Sequence, residues 1–242
     1  LRQPEHQVMW GIVVLAAVLR LSHLDLIEFR PEQVEYLLRA QAPSPAVPAL
    51  ASPLLSYILA VSLAISRDPR VAAGLLAILH VGAVAGLYAA GRRFFGIRVA
   101  IISSILLAVS PWDILFSRRI SPASLLVPLG IVFLCGALLA LCGRNPWGSF
   151  LVALSAGLLL YTSPLAAPLL LICLALALIY PRRVSWLHAL LGICLVTLLF
   201  APYLYKQNMV RLADLGQGLQ ALRRPTAEGV LPLLSFLDPQ SI

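Results

Sequence analysis

From Asn145 to Pro181 the chain carries no charged side chain, and the same holds from Ile120 to Gly143. Runs of this length constrain the fold more than any other feature. A helix crosses the hydrocarbon core with about 20 apolar residues, and inside lipid the backbone must satisfy its own hydrogen bonds, which helices do within one segment. Composition points the same way: 60% of residues are hydrophobic and 12% charged, against about 25% charged in an ordinary soluble domain. Too few charges remain to cover a water-exposed surface. Soluble enzymes, nucleic-acid binders and disordered tails are excluded, and the expected class is an all-α integral membrane protein embedded in the lipid bilayer.

The formal net charge of +8 comes from 18 basic and 10 acidic residues, and every basic residue except Lys206 is Arg. In a membrane protein such a balance reads as loop Arg setting topology and meeting anionic lipid, with no nucleic-acid partner. Cys135, Cys142, Cys173 and Cys194 lie in apolar runs, without a CxxC pair or neighbouring ligand, and read as small buried hydrophobes. The first apolar run lacks the basic approach and cleavage site of a signal peptide. The sequence begins with Leu, so the expectation is that an N-terminal portion is missing.

The charge-poor runs divide into about seven spans: Val8–Leu24, Val71–Gly91, Val99–Phe116, Pro122–Cys142, Gly148–Tyr161, Leu165–Tyr180 and Val184–Tyr205. The break Thr162-Ser163-Pro164 separates the fifth from the sixth. Pro53–Ser66 is apolar but would make only about 21 Å of helix, and Arg67, Asp68 and Arg70 follow it at once. It reads as a juxtamembrane or re-entrant helix. The loops Arg92–Arg98, Gly143–Pro146 and Pro181–Arg183 then share one side and hold six Arg, against four in Arg67–Arg70 and Ser117–Ser121. The positive-inside rule puts the first set, and the N-terminus, in the cytoplasm.

This layout gives a seven-span module over residues 1–205, an outer loop over 25–70 and an outer-face amphipathic segment over 206–242. Pro31 opens a surface helix in which Val34, Leu37 and Leu38 face away from Glu32, Glu35 and Arg39. In the tail, Met209, Leu212, Leu215, Leu219 and Leu222 form a second apolar stripe. No internal repeat of the kind found in many secondary transporters is seen.

Because charge is scarce, its placement matters. Asp25, Glu28, Glu32, Glu35, Asp68 and Asp113 fall in or beside the first two outer loops, as do Arg20, Arg30, Arg39, Arg118 and Arg119. Carboxylates can take a proton there and Arg can hold a phosphate. Glu32 at a helix start reads either as a catalytic base or as a complement to the helix dipole. Asp113 either pairs with Arg118 or Arg119, or lines a polar cavity. Those two Arg fit a lipid-linked phosphate or anionic headgroups. His23 is a candidate for substrate contact. His80 and His188 have no second ligand at helical spacing, so no metal site is expected, and no other cofactor is implied.

Several stretches together resemble the GT-C-type membrane glycosyltransferases, the superfamily of protein O-mannosyltransferases and lipid A aminoarabinose transferases. Glu32-Gln33-Val34-Glu35-Tyr36 is similar to the family's Asp-Glu motif leading an amphipathic helix, and Ser52-Pro53-Leu54-Leu55 to its His-Pro-Pro-Leu element. Gly91-Arg92-Arg93-Phe94-Phe95-Gly96 matches its cytoplasmic Gly-Arg-Arg turn, Phe116-Ser117-Arg118 its outer Ser-Arg motif, and Tyr161-Thr162-Ser163-Pro164 its Tyr-Thr-His-Pro break. The resemblance runs over residues 18–204.

It implies an inverting transfer of a sugar from a polyprenyl-phosphate donor to an acceptor at the outer face of the plasma membrane. Glu32 takes the place of the general base. Gln33, Tyr36, Asp113, Arg118 and Arg119 are the candidates for holding substrate. The chain departs from the family in having Glu for Asp and Gln for Glu at the acidic pair, and family enzymes commonly carry further spans. The expectation is therefore a front module of such an enzyme. The alternative is a catalytically degenerate relative serving as a structural component beside other membrane subunits, and a transporter ranks third because so few ionisable groups lie at mid-depth.

Overall fold

The computed structural model describes residues 3–22, 36, 53–66, 68–162 and 166–201. Within them the chain is helical throughout. The helices are α1 (Gln3–Leu21), α2 (Pro53–Ile65), α3 (Pro69–Phe94), α4 (Ile97–Val109) and α5 (Pro111–Arg118). A single 3-10 turn (Pro122–Leu125) leads into α6 (Leu126–Leu141), followed by α7 (Pro146–Thr162) and α8 (Ala167–Ile179), and α9 (Trp186–Ala201).

Helix α3 and the continuous segment Pro122–Leu141 are long and apolar enough to cross a membrane, and α4 with α5 makes a third if the bent pair is one span. Every one of the seven expected spans holds a helix, but among the described residues only these two or three qualify by length and composition. The short helix expected at Pro53–Ser66 is α2. The surface helix around Pro31, apart from Tyr36, and the tail stripe from Met209 to Leu222 lie outside the described residues.

Local chemistry explains the boundaries. Asp68 caps α3 by accepting from the amide of Arg70 at 2.8 Å, with Pro69 in the first helical position. Between α3 and α4 the chain turns at Gly96, whose φ of +94° is open to glycine. Helices α6 and α7 pack so closely that a Cβ on Gly148 would lie 2.3 Å from the amide nitrogen of Ala140. Small residues of this kind let backbones approach where lipid supplies no hydrophobic drive between helices.

The expected span Val99–Phe116 is not one helix. It breaks at Ser110, and α4 and α5 meet at a bend of 56°. The cause is Pro111, which has no N–H to give to the carbonyl of Leu107 and forces the residue before it out of the helical region. Ser110 accordingly sits at φ −59°, ψ 117°.

Two apolar clusters form the interior. Ile12, Ala16, Val84, Tyr88, Ala100 and Ala108 join α1, α3 and α4. Leu55, Leu59, Ala72, Leu76, Ile120 and Leu125 join α2, α3 and the α5–α6 connection. Leu76 and Val84 flank His80 by one helical turn on either side, so His80 marks the seam between the clusters. Large apolar side chains such as Val14, Ile102, Leu171 and Leu198 point outward, as a lipid-facing surface requires.

Candidate functional site

At that seam three polar side chains meet. Arg20 in the last turn of α1 is fully buried, as is His80, and Asp113 in the first turn of α5 is nearly so. Arg20 donates through Nη2 to Asp113 Oδ2. His80 Nδ1 lies 2.7 Å from Asp113 Oδ1, and His80 Nε2 lies 2.7 Å from the backbone oxygen of Ser124.

Two prolines account for two of the bonds, to the carbonyls of Leu107 and Ser124; another runs from Arg20 Nη1 to the carbonyl of Ala16 in its own helix at 3.2 Å. Arg20 also donates to the carbonyls of Leu107 at 2.9 Å and Ala108 at 3.0 Å. The first is the carbonyl that Pro111 cannot serve. Ser124 is in the same position four residues before Pro128, and its carbonyl is taken by His80. Buried carbonyls short of a partner are costly; the amide of Ser110 reaches the Leu107 carbonyl only at 3.4 Å, and at both prolines a side chain from another helix donates as well. Asp113 bridges the two donors.

The donor inventory fixes the charge. A backbone oxygen only accepts, so His80 Nε2 carries a hydrogen. One further proton lies between Nδ1 and Oδ1, and whichever atom holds it, Asp113 and His80 together sum to zero. Arg20 remains, leaving the cluster with one net positive charge. Arg118 adds another beside it: its Nη2 donates to the carbonyl of Leu19 in the last turn of α1, and its Nε is buried without a partner. Among the described residues, the end of α1 therefore carries an excess of positive charge.

Several expectations change here. Asp113 was expected to pair with Arg118 or Arg119, or to line a cavity; it pairs with Arg20 and His80. The reason is geometric, because Arg118 turns back to α1, and Arg119 contributes its backbone carbonyl as acceptor for Ser124 Oγ. His80, read as a lone mid-span histidine, belongs to the cluster. The pair Pro111 and Pro128 was the signal that could have found it. Tyr36 packs against the second apolar cluster, which includes Ile120, bringing it near the α5–α6 connection. Glu32, Gln33 and His23 lie outside the described residues. Among the described residues no three His, Cys, Asp or Glu come together as metal ligands.

Comparison with known families decides the larger question. The model of the dolichyl-phosphate-mannose-protein mannosyltransferase family matches residues 47–205. The chain belongs to this family. No curated protein and no solved structure matches it. The dolichyl-phosphate-mannose-protein mannosyltransferase match takes in His80, Asp113, Arg118 and Arg119, and it begins after Arg20, Glu32, Gln33 and Tyr36. Family membership thus rests on the helices from α2 onward and is independent of the acidic motif. It agrees with the GT-C resemblance carried by the Gly-Arg-Arg turn and the Ser-Arg motif, and makes the chain a member of a family of membrane glycosyltransferases.

Proposed function

We propose that the chain moves a sugar from a polyprenyl-phosphate donor to an acceptor at the outer face of the plasma membrane, with its N-terminus in the cytoplasm. The observation that carries this reading is the electropositive end of α1, held by Arg20 and Arg118 immediately before the segment that contains Glu32. A sugar phosphate leaving group gains negative charge as its bond to the sugar breaks. Fixed Arg donors beside it stabilise that charge where it develops. Arg118 and Arg119 fill this role. Glu32 accepts the proton of the acceptor hydroxyl as general base, and Gln33 and Tyr36 orient the substrates. Asp113 acts one step back, holding Arg20 and His80 in place.

The test is transfer in liposomes supplied with polyprenyl-phosphate mannose and an acceptor. Glu32→Gln should lower turnover by about 10²–10⁴-fold while thermal unfolding stays where it was. Unchanged turnover sinks the assignment of Glu32.

A second reading has one observation in its favour: Gln33 stands where the family has a second carboxylate. In that case the chain is a degenerate subunit of a membrane complex. Wild-type protein would then transfer no sugar from any polyprenyl-phosphate donor and would copurify stoichiometrically with other membrane proteins.

A further inference from the structure

The opposite end of the bundle has a feature that glycosyl transfer does not use. Helix α6 starts beside Ser124 and runs away from His80, so its far end stands about 24 Å of helix from the cluster. There the α6–α7 connection brings Arg144 against Arg182 and Arg183 of the α8–α9 connection, and the three line a cleft of about 550 Å³ with Pro146, Val184 and Ser185. Arg183 is oriented by a bond from Nη1 to the carbonyl of Leu141 and by the ring of Tyr180, 5.6 Å from its guanidinium carbon. The sequence contains no Asp or Glu between Asp113 and Asp214, and neither ion pair among the described residues involves these Arg. Three like charges gathered without a counter-charge among the described residues repel one another until an anion joins them.

The depth of the cleft is marked independently. Trp147 and Trp186 flank it, 58% and 63% exposed, and Trp147 rests edge-on against Phe150 and His188. Exposed Trp on an apolar bundle sits at headgroup level. Below this level an apolar groove of about 380 Å³ runs between α7, α8 and α9, floored by small residues including Ala153, Ala156 and Gly157. Val184 lines both spaces, so cleft and groove adjoin.

We infer that this cleft and groove together bind one anionic membrane phospholipid, its phosphate on Arg144, Arg182 and Arg183 and an acyl chain in the groove between α7, α8 and α9. The guanidinium fork matches phosphate oxygens in pairs. Basic pockets between spans at headgroup depth suit such lipids. The bound lipid ties the α6–α7 and α8–α9 connections together.

Native mass spectrometry of the full chain in detergent, titrated with dioleoyl phosphatidylglycerol or dioleoyl phosphatidylcholine, tests this. Wild type should retain one phosphatidylglycerol and no phosphatidylcholine. Replacing Arg144, Arg182 and Arg183 by Gln should weaken retention by roughly a hundredfold, about fivefold for each Arg near the anionic surface, while Arg92→Gln/Arg93→Gln/Arg98→Gln leaves it unchanged. Equal loss in both triple variants, or equal retention of the two lipids, overturns the site. Glycerol 3-phosphate competing as well as the full lipid would remove the groove from it. Preferential retention of undecaprenyl phosphate at these Arg would overturn the choice of a phospholipid.

Discussion

The guanidinium of Arg20 occupies the place that an amide of residue 111 would have filled: Pro111 has none, and Arg20 Nη2 reaches the carbonyl of Leu107 at 2.9 Å instead. The relationship makes a sequence-local defect in α4 a docking point for α1, 87 positions away in sequence but adjacent in space.

The first prediction follows from this substitution of donor for donor. In Pro111→Ala the carbonyl of Leu107 gains a helical amide in place of its long 3.4 Å bond from Ser110, so removing Arg20 should cost less there than in wild type. A double-mutant cycle with Arg20→Met, read by thermal unfolding in detergent, should give a coupling of about 1 kcal/mol for the shared hydrogen bond. Additive losses would contradict it.

Asp113 is the only acid in contact with Arg20 and His80 among the described residues. Asp113→Ala strands a buried guanidinium, and breaking a buried pair in this way costs about 3–5 kcal/mol. Asp113→Asn keeps an acceptor for one of the two donors and should lose less. The unfolding midpoints of the two variants, measured side by side, check the order.

Packing between α6 and α7 makes a separate prediction. In Gly148→Ala the new methyl would press on backbone atoms of Ala140 and Gly136, and overpacking of this kind costs about 1–3 kcal/mol. Gly74 and Gly82 on α3 have open space around the corresponding position. Alanine there should be neutral or stabilising by about 0.5–1 kcal/mol. Thermal unfolding of the three single variants distinguishes a crowded interface from a general intolerance.

If Arg118 holds the donor phosphate, Arg118→Gln should lower kcat/KM for the lipid-linked sugar by about 10- to 100-fold, the worth of a hydrogen bond to a charged group. Glu32→Gln should instead act on kcat, by about 10²–10⁴. Steady-state kinetics against donor concentration separates the two roles.

Much of the architecture was readable because hydrocarbon tolerates few charges: α3, α6 and the end of α7 at Thr162 follow from where charge and Pro fall. The bend at Pro111 was not, since hydropathy runs on through Val99–Phe116 without a dip. The cluster was hidden for a different reason. His80 reaches partners 33 and 44 positions away, and nothing local to it is polar. Asp113 was matched with Arg118 and Arg119 because they are near in sequence, but on a helix a residue faces those three or four positions on, and Arg118 is five. The electropositive character of this end came only from counting donors against acceptors. Glu32 was legible through motif resemblance alone.

The separation between Arg20 and its partners also sets an order of events during synthesis. Besides the Ala16 carbonyl in its own helix, its acceptors lie 87 to 93 positions further along the chain, so α1 is made well before its partner Asp113 exists. Until α4 and α5 are made, the Arg20 guanidinium keeps to water while its aliphatic stem lies along apolar surface. Burial of Arg20 therefore waits on α5, and the arrival of Asp113 is what commits α1 to its place in the bundle.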